Sequence, residues 1–277
     1  MKLYIDSRFR VEGTHTDFSI ELPRPVVVPR GKAVVDCVCV PNTFYTIRTG
    51  ENDKIHIREA DSAIVTYRII SIAPGQYNAF TLKDALLLAL QTGSTMNGNY
   101  TVAYDVTTNR LSIGTTGTST FALFPTALLK ADPNAWNVGA FAESDPLIDA
   151  KNLQDCGAVT GFGTGTVIQA GSYATTVVAD SAVNTLPYQQ LFLRSNLGQG
   201  DDCLGPSGGS DIIRRIICQV PLNDTIVDLH SLPYDSVSVG SREFNSMSFK
   251  LTDALGNSVD TKGHHISFSI IFLASEE

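Results

Sequence analysis

The side chains best suited to hold a metal or move a proton are the five histidines: His15, His56, His230, His264 and His265. Their spacing contains no HExxH motif and no facial triad of two histidines and a carboxylate. His264 and His265 are adjacent at the start of a predicted strand, so their side chains should point to opposite faces. One metal ion could not easily bind both. We therefore expect a surface role for this pair, and the sequence predicts no metal site.

Two acidic stretches invite a calcium or catalytic interpretation. "DALGNSVD" supplies Asp253, Asn257 and Asp260, but the spacing does not fit a DxDxDG calcium loop. Aspartate and asparagine in a turn usually bind their own backbone, so we expect a structural turn. "GDDCLG" at 200–205 places two carboxylates on a glycine-rich loop, where adjacent acids are more often solvated than catalytic.

The cysteines are odd in number and sparsely spaced: Cys37, Cys39, Cys156, Cys203 and Cys218. Cys37 and Cys39 should share one face of a strand, and their spacing is not that of a CxxC metal knuckle. We expect buried free thiols in a reducing compartment.

Other motifs of catalysis are missing from the sequence. It contains no GxSxG nucleophile elbow and no GxxxxGK[ST] phosphate loop. "GFGTG" at 161–165 lacks the strand-to-helix context of a dinucleotide site and is interpreted as a loop. The sequence therefore predicts a protein that is not an enzyme and needs no cofactor.

The charge pattern excludes one class of partner. The net charge is −8, charged residues make up 17% of the chain, and the densest basic cluster is Arg214-Arg215. Because phosphate neutralisation needs clustered lysine and arginine, we predict no direct binding of nucleic acid. A surface poor in charge suits a chain that buries surface against neighbours. "MKLYIDSRFR" does not resemble a signal peptide and no apolar run approaches ~20 residues, so we expect folding in the cytosol or nucleus.

The elements that would position these residues are mostly strands. Alternating or apolar runs predict strands at "DFSIELP", "AVVDCVCVP", "ENDKIHIRE", "AIVTYRIISI", "QQLFLRSN", "IIRRIICQVPL", "TIVDLHS" and "DSVSVGS", and hairpins at "NYTVAYDVTTNRLSIGT" and at 249–272. "RPVVVPRG", with prolines on both sides, is predicted as an edge or a connection. "FTLKDALLLALQTG" predicts a helix capped by Thr81 and ended by Gly93.

These patterns predict an all-β fold, a single jelly-roll antiparallel sandwich with one short helix and a long irregular central insertion. We expect one domain over 1–277, with an insertion subdomain or long loops at 114–187. In the insertion, "FALFPTALLKADPNAW" favours a short helix and "GTVIQAGSYATTVVAD" favours strands. The closing hairpin should pair with "DFSIELP" and seal the sandwich.

Three stretches resemble a known family. "LYIDSRFRVEGTHTDFSIELPRPVVVPRGKAVVDCVCVPNTFYTI", "IAPGQYNAFTLKDALLLAL" and "MSFKLTDALGNSVDTKGHHISFSIIF" are similar, in order and spacing, to the minor capsid (penton) proteins of Polintons, polinton-like viruses and virophages. The similarity covers roughly residues 3–113 and 212–273. For 114–187 it implies nothing.

The resemblance implies a jelly roll that forms homopentamers at the vertices of an icosahedral virion, beside a double-jelly-roll major capsid protein. A vertex fibre or cement protein would be a further partner, and "MKLYIDSRFR", with Arg8 and Arg10, could act as an arm to a neighbouring subunit. Two alternatives stay open from the residues alone: a viral spike or glycan- or receptor-binding β-sandwich, and a β-sandwich enzyme such as a polysaccharide hydrolase, whose paired carboxylates sequence cannot locate.

Overall fold

The computed structural model describes residues 1–61, 64–94, 96, 100–116, 119–125, 155–162, 176–198, 203–206, 208–229 and 235–274, with the backbone alone at 29, 30 and 61. The chain forms two compact units. Met1–Phe44 and Tyr188–Glu277 make up the first, and the continuous segment Tyr45–Pro187 makes up the second. The first unit is therefore assembled from both ends of the sequence.

An antiparallel sheet forms the first unit. Its described strands are β1 (Lys2–Asp6), β2 (Glu12–Gly13), β3 (Asp17–Pro41), β10 (Gln190–Ser195), β11 (Ile212–Ile217), β12 (Thr225–Asp228), β13 (Ser236–Thr252) and β14 (Ser267–Ala274). They lie in the order β1-β14-β3-β13-β10-β11, and β2 and β12 also pair with β3. A single 3-10 turn, Ser7–Phe9, follows β1.

Strand β3 organises this sheet because it runs without a break for 25 residues. The prediction that "RPVVVPRG" lies at an edge is confirmed, since among the described strands Val26, Val27 and Val28 pair with β13 alone. The alternative that it is a connection is wrong, because it is continuous with the rest of β3. The prolines are accommodated at register shifts, where the ladder between β3 and β13 is interrupted. Three separately predicted segments are thus one strand.

The sheet curls on itself around an aromatic centre. Phe18 and Phe249 face each other near the start of β3, whereas Phe268 lies opposite Val38 near the end of β3. The Phe249 and Phe268 rings nevertheless meet edge to face, with centroids 4.9 Å apart. The two halves of β3 therefore face each other across one core, which is the geometry of a sandwich.

The closing segment, 249–272, was predicted as a hairpin, and that part of the prediction is wrong. Strands β13 and β14 lie on opposite sides of β3 and each pairs with β3. The predicted pairing with "DFSIELP" is confirmed for β13, where Lys250 lies opposite Asp17. Their connection, 253–266, is much longer than the two to five residues of a tight hairpin loop, so it leaves the strands free to separate.

The second unit contains two small sheets and a helix. Strands β4 (Lys54–Asp61), β5 (Ile64–Ser71) and β8 (Thr120–Leu123) form one sheet in the order β5-β4-β8. Strands β6 (Tyr100–Asp105), β7 (Arg110–Thr115) and β9 (Thr176–Val178) form the other in the order β6-β7-β9. The predicted hairpin of β6 and β7 is confirmed. Helix α1 (Ala79–Gln91) packs Leu82, Leu86 and Leu90 into a shared core, and α2 is a single turn, Gly157–Thr160.

The start of helix α1 differs from its prediction. Asn78, not Thr81, is the N-cap, and its side-chain oxygen accepts hydrogen bonds from the backbone N–H groups of Phe80 and Thr81. Thr81 completes a capping box by accepting from the Asn78 N–H at 3.0 Å. Asparagine is at least as good a cap as threonine, so the helix begins three residues earlier. Gly93 has a φ of 71°, the predicted left-handed exit.

The predicted fold class is confirmed as an all-β, antiparallel, jelly-roll-like sandwich with one short helix as its main helical element. The second unit shares its end, Pro187, with the predicted insertion at 114–187 but begins at Tyr45. Most of 114–187 lies outside the described residues, including 126–136 of the predicted helix and 165–175 of the predicted strands. The part of the chain that is described contains no helix long and apolar enough to cross a bilayer.

Candidate functional site

A groove of about 820 Å³ runs along the outer face of β1, β14 and β3. Strand β1 alternates, with Ile5 3% exposed in the core and Tyr4 77% exposed on the groove side. Phe9, from the turn after β1, and Leu229, after β12, also line the groove and are largely exposed. Large apolar side chains that lie together in the open are typical of an interaction surface.

A β-bulge shapes the floor of this groove. The register of β14 on β3 shifts between Ser269, opposite Cys37, and Ile270, opposite Val35. Asp36 is the extra residue, and it lines the groove together with Cys37. It forms an ion pair with Lys2 and accepts a hydrogen bond from the Ser269 hydroxyl at 3.2 Å. The Lys2 ammonium lowers the pKa of the Asp36 carboxyl, which stays charged.

Cys37 and Cys39 lie in the same groove with their sulfur atoms 4.0 Å apart. The prediction that they share one strand face is confirmed, since both line the groove. The expectation of buried thiols is wrong for both of them, because each is half-buried. Desolvation, followed by the neighbouring Cys39, raises the pKa of Cys37. All five cysteines are free, and Cys156 is the buried one.

Two histidines far apart in the sequence meet at another place in the first unit. The Nδ1 atoms of His15 and His265 are 3.2 Å apart and the rings are nearly perpendicular. The Arg10 guanidinium lies 3.5 Å from Nδ1 of His15. Burial, then Arg10, lowers the pKa of His15, with His265 and His264 acting in the same direction and Asp260 opposing them. A neighbouring cation makes this pair a poor metal site.

The sequence could not reveal that histidine pair, because its members are 250 residues apart. A second contact joins the segment of His15 to the segment of His265. The fully buried hydroxyl of Ser7 accepts a hydrogen bond from the backbone N–H of Ile266 at 3.1 Å. His56 is buried in the second unit, and His230 lies outside the described residues. Among the described residues, no three histidine, cysteine or acidic side chains form a metal-binding group.

The densest basic cluster of the sequence does not form an open basic patch. The side chain of Arg214 is 6% exposed and binds Asp228 through two nitrogens, at 2.9 and 2.7 Å. A third nitrogen donates to Asp235 at 2.7 Å. These contacts, led by the hydrogen bond to Asp228, raise the pKa of the guanidinium. Because Asp228 and Asp235 offset the charge of Arg214, the pair Arg214-Arg215 does not present two adjacent positive charges.

The acidic stretch around Asp253 folds as the predicted turn. Its Oδ1 accepts hydrogen bonds from the backbone of Leu255 and Asn257, both at 2.9 Å. Asp260 binds Lys262 through the backbone and the side chain, each at 2.7 Å. Every one of these bonds is local, so the structural interpretation is confirmed. Residues 201–202 of "GDDCLG" and 163–165 of "GFGTG" lie outside the described residues.

A buried carboxylate in the second unit escaped the sequence analysis. Glu59 is 0% exposed, forms an ion pair with Arg68, and accepts from the Tyr100 and Ser94 hydroxyls, each at 2.9 Å. Burial and then Glu59 raise the pKa of Tyr100. The signal existed, because Glu59 follows Ile57 on the inward face of an alternating strand. Arg68 also donates to the Leu90 carbonyl at 3.1 Å, so the network anchors the end of α1.

The comparisons with known proteins add little to this geometry. Neither a family model nor a curated protein matches the sequence. The crystal structure of the mavirus penton protein, in its selenomethionine form, is similar with a TM-score of 0.48 and 9% sequence identity. The match covers 99% of this chain and 100% of that chain. At that TM-score and identity, the likeness supports no assignment of function.

Proposed function

We propose that this protein is a structural capsid protein, of the penton type, that forms pentamers at the vertices of an icosahedral virion. The observation that carries the proposal is the exposed apolar groove beside strand β1. Tyr4, Phe9 and Leu229 are 77%, 78% and 64% exposed around it, although the rest of the unit buries an extended core. A surface of this kind is stabilised when another protein covers it.

The position of the groove suits assembly. Strand β1 is the last strand at one side of the described sheet. An edge strand presents unpaired backbone groups and readily contacts another chain. Residues 2–6 pair with β14 of their own chain, so the arm suggested for "MKLYIDSRFR" would act in assembly as a docked strand. A closed ring needs a different patch on each side of every subunit, and this groove would supply one of them.

The sequence resemblance supports the choice of a penton. The three stretches that carry it lie largely on β1, β3, α1, β13 and β14. The double-jelly-roll major capsid protein would surround the pentamer, and a fibre or cement protein would be a further partner. No nucleic acid is expected at this surface, because the groove contains Lys2 paired with Asp36 rather than a basic patch.

Mass measurement of the purified chain tests the proposal. We expect a pentamer by native mass spectrometry, and incorporation at five-fold vertices when the chain is expressed with a double-jelly-roll capsid protein. A trimer that binds glycans would favour the spike alternative and contradict the penton. A chain that stays monomeric and is left out of such shells would contradict any capsid role.

A pair of matched variants tests whether the groove is the contact. Tyr4→Arg should abolish the pentamer without unfolding the chain, since this side chain packs little within its own unit. Leu255→Arg is the control, because Leu255 is 75% exposed but lies in the turn at 253–258. If Leu255→Arg disrupts assembly and Tyr4→Arg does not, the contact lies on another face.

A further inference from the structure

We propose that Cys37 and Cys39 form a binding site for a soft, monovalent metal ion, Cu(I). Both thiols project from one strand into an open groove, and their sulfur atoms are 4.0 Å apart. Thiolates are soft ligands that select ions such as Cu(I). This inference concerns the chain before assembly, because the contact proposed for the capsid would cover the same groove.

The backbone holds the two thiols in place. Cys37 lies opposite Ser269 of β14, and Cys39 is paired on both sides, with Ser267 of β14 and Val227 of β12. Cys37 and Cys39 share one face because they are two residues apart in regular register on β14, on the same side of the bulge at Asp36. A strand fixed in this way presents both sulfur atoms with little conformational freedom to lose on binding.

The separation of the sulfur atoms lets one metal ion bridge them. With a metal–sulfur bond of about 2.3 Å, as in thiolate sites of zinc, a 4.0 Å separation requires a sulfur–metal–sulfur angle of about 120°. That angle is close to the trigonal value, so the two thiols would move slightly apart to reach the nearly linear geometry of a two-coordinate ion. Zinc in structural sites also takes four protein ligands. The described residues provide no group of three or more such ligands here, so an ion satisfied by two thiolates fits better.

The binding step is balanced in atoms and charge. Binding releases both thiol protons and gives a Cu(I) bis-thiolate with a net charge of −1, with no change of oxidation state. Lys2 and Asp36 both line the groove beside Cys37 and form an ion pair, so their charges largely offset each other there. The groove, about 820 Å³ and open to solvent, lets a thiol-bearing carrier reach the sulfur atoms.

Anaerobic titration of the reduced chain with Cu(I), against a chromophoric Cu(I) chelator, tests the site. We expect one equivalent to bind, with X-ray absorption showing two sulfur ligands and no imidazole nitrogen. Cys37→Ser and Cys39→Ser should each abolish stoichiometric binding. Cys203→Ser and Cys218→Ser are the matched controls, since these thiols are also half-buried but stand apart in the sequence, and both should bind normally.

A second measurement uses the unaltered protein. Bound Cu(I) should protect Cys37 and Cys39 from alkylation, as read by peptide mapping, and leave Cys203 and Cys218 reactive. Failure to bind, binding that survives both serine substitutions, or protection at other cysteines would each overturn the proposal. Tetrahedral Zn(II) held by these thiols in preference to Cu(I) would overturn the choice of ion.

Discussion

Replacing Phe249 by alanine tests whether the sheet of the first unit curls into a closed sandwich. Phe249 is 1% exposed and its ring contacts those of Phe18 and Phe268. Removing a buried phenylalanine side chain typically costs about 3–5 kcal/mol. Against a total stability of about 5–15 kcal/mol, that loss is large but leaves a measurable folded population in most of the range. Phe9→Ala, at a side chain that is 78% exposed, should change stability by less than ~0.5 kcal/mol.

The pair Phe249 and Phe268 gives a sharper test than either residue alone. Their strands are separated by β3 in the sheet, so the rings meet only because the sheet folds over. A double-mutant cycle should return a coupling of about 0.5–1.5 kcal/mol beyond the additive cost. The same cycle with Phe9 in place of Phe268 should be additive.

The assay of choice is urea unfolding monitored by hydrogen exchange of peptides from β3 and β13. Because the chain has two compact units, a whole-chain signal would mix their transitions. With a slope of about 2 kcal/mol per molar urea, Phe249→Ala should lower the midpoint of the first unit by ~2 M. A coupling near zero between Phe249 and Phe268, in variants that remain folded, would refute the curled sheet.

Two further predictions concern charge. Arg214→Met should destabilise the first unit by about 3 kcal/mol, because it removes the guanidinium that binds the mostly buried carboxylate of Asp228. Arg8→Met, at an exposed ion pair, should cost less than ~1 kcal/mol, and equal losses in urea unfolding would contradict this. Burial and Arg10 lower the pKa of His15 in the folded state, so the unfolded chain binds more protons in acid. The contribution of neutral His15 to stability is therefore present above the usual imidazole pKa of ~6.5 and is lost as the pH falls. His15→Asn should therefore lose less stability than the parent chain between about pH 8 and pH 5, and an unchanged loss would contradict the cause assigned.

Local patterns predicted individual strands well and their pairing poorly. Period-two alternation located β4, β5, β6 and β7, because each is short and apolar residues recur at every second position in its sequence. It divided β3 into three segments, since the prolines at 25 and 29 are normally excluded from strand interiors. Only the long partner strand β13, more than 190 residues later, shows how β3 accommodates them. The hairpin prediction at 249–272 is wrong for a similar reason. Strands β13 and β14 each pair with β3, and the turn between them does not determine their pairing.

Of the candidate site, the sequence provided the residues but not their surroundings. The shared face of Cys37 and Cys39 follows from strand geometry. The groove around them depends on β1, on the bulge at Asp36 and on Leu229, which lie far apart in the sequence. The meeting of His15 with His265 is equally non-local. Such contacts are fixed by tertiary packing and leave no periodic signal.

The discontinuous first unit constrains the order in which the chain folds during synthesis. Tyr45–Pro187 is continuous and can fold as soon as it leaves the ribosome. Strand β3 has no such opportunity, because β13 is translated about 195 residues later, after ~10–40 s at typical rates of about 5–20 residues per second. For that interval the 25-residue strand, with its buried apolar side chains, lacks its longest partner strand. The nascent chain is therefore most vulnerable to aggregation at β3, and a chaperone that shields this strand should raise the yield of native protein.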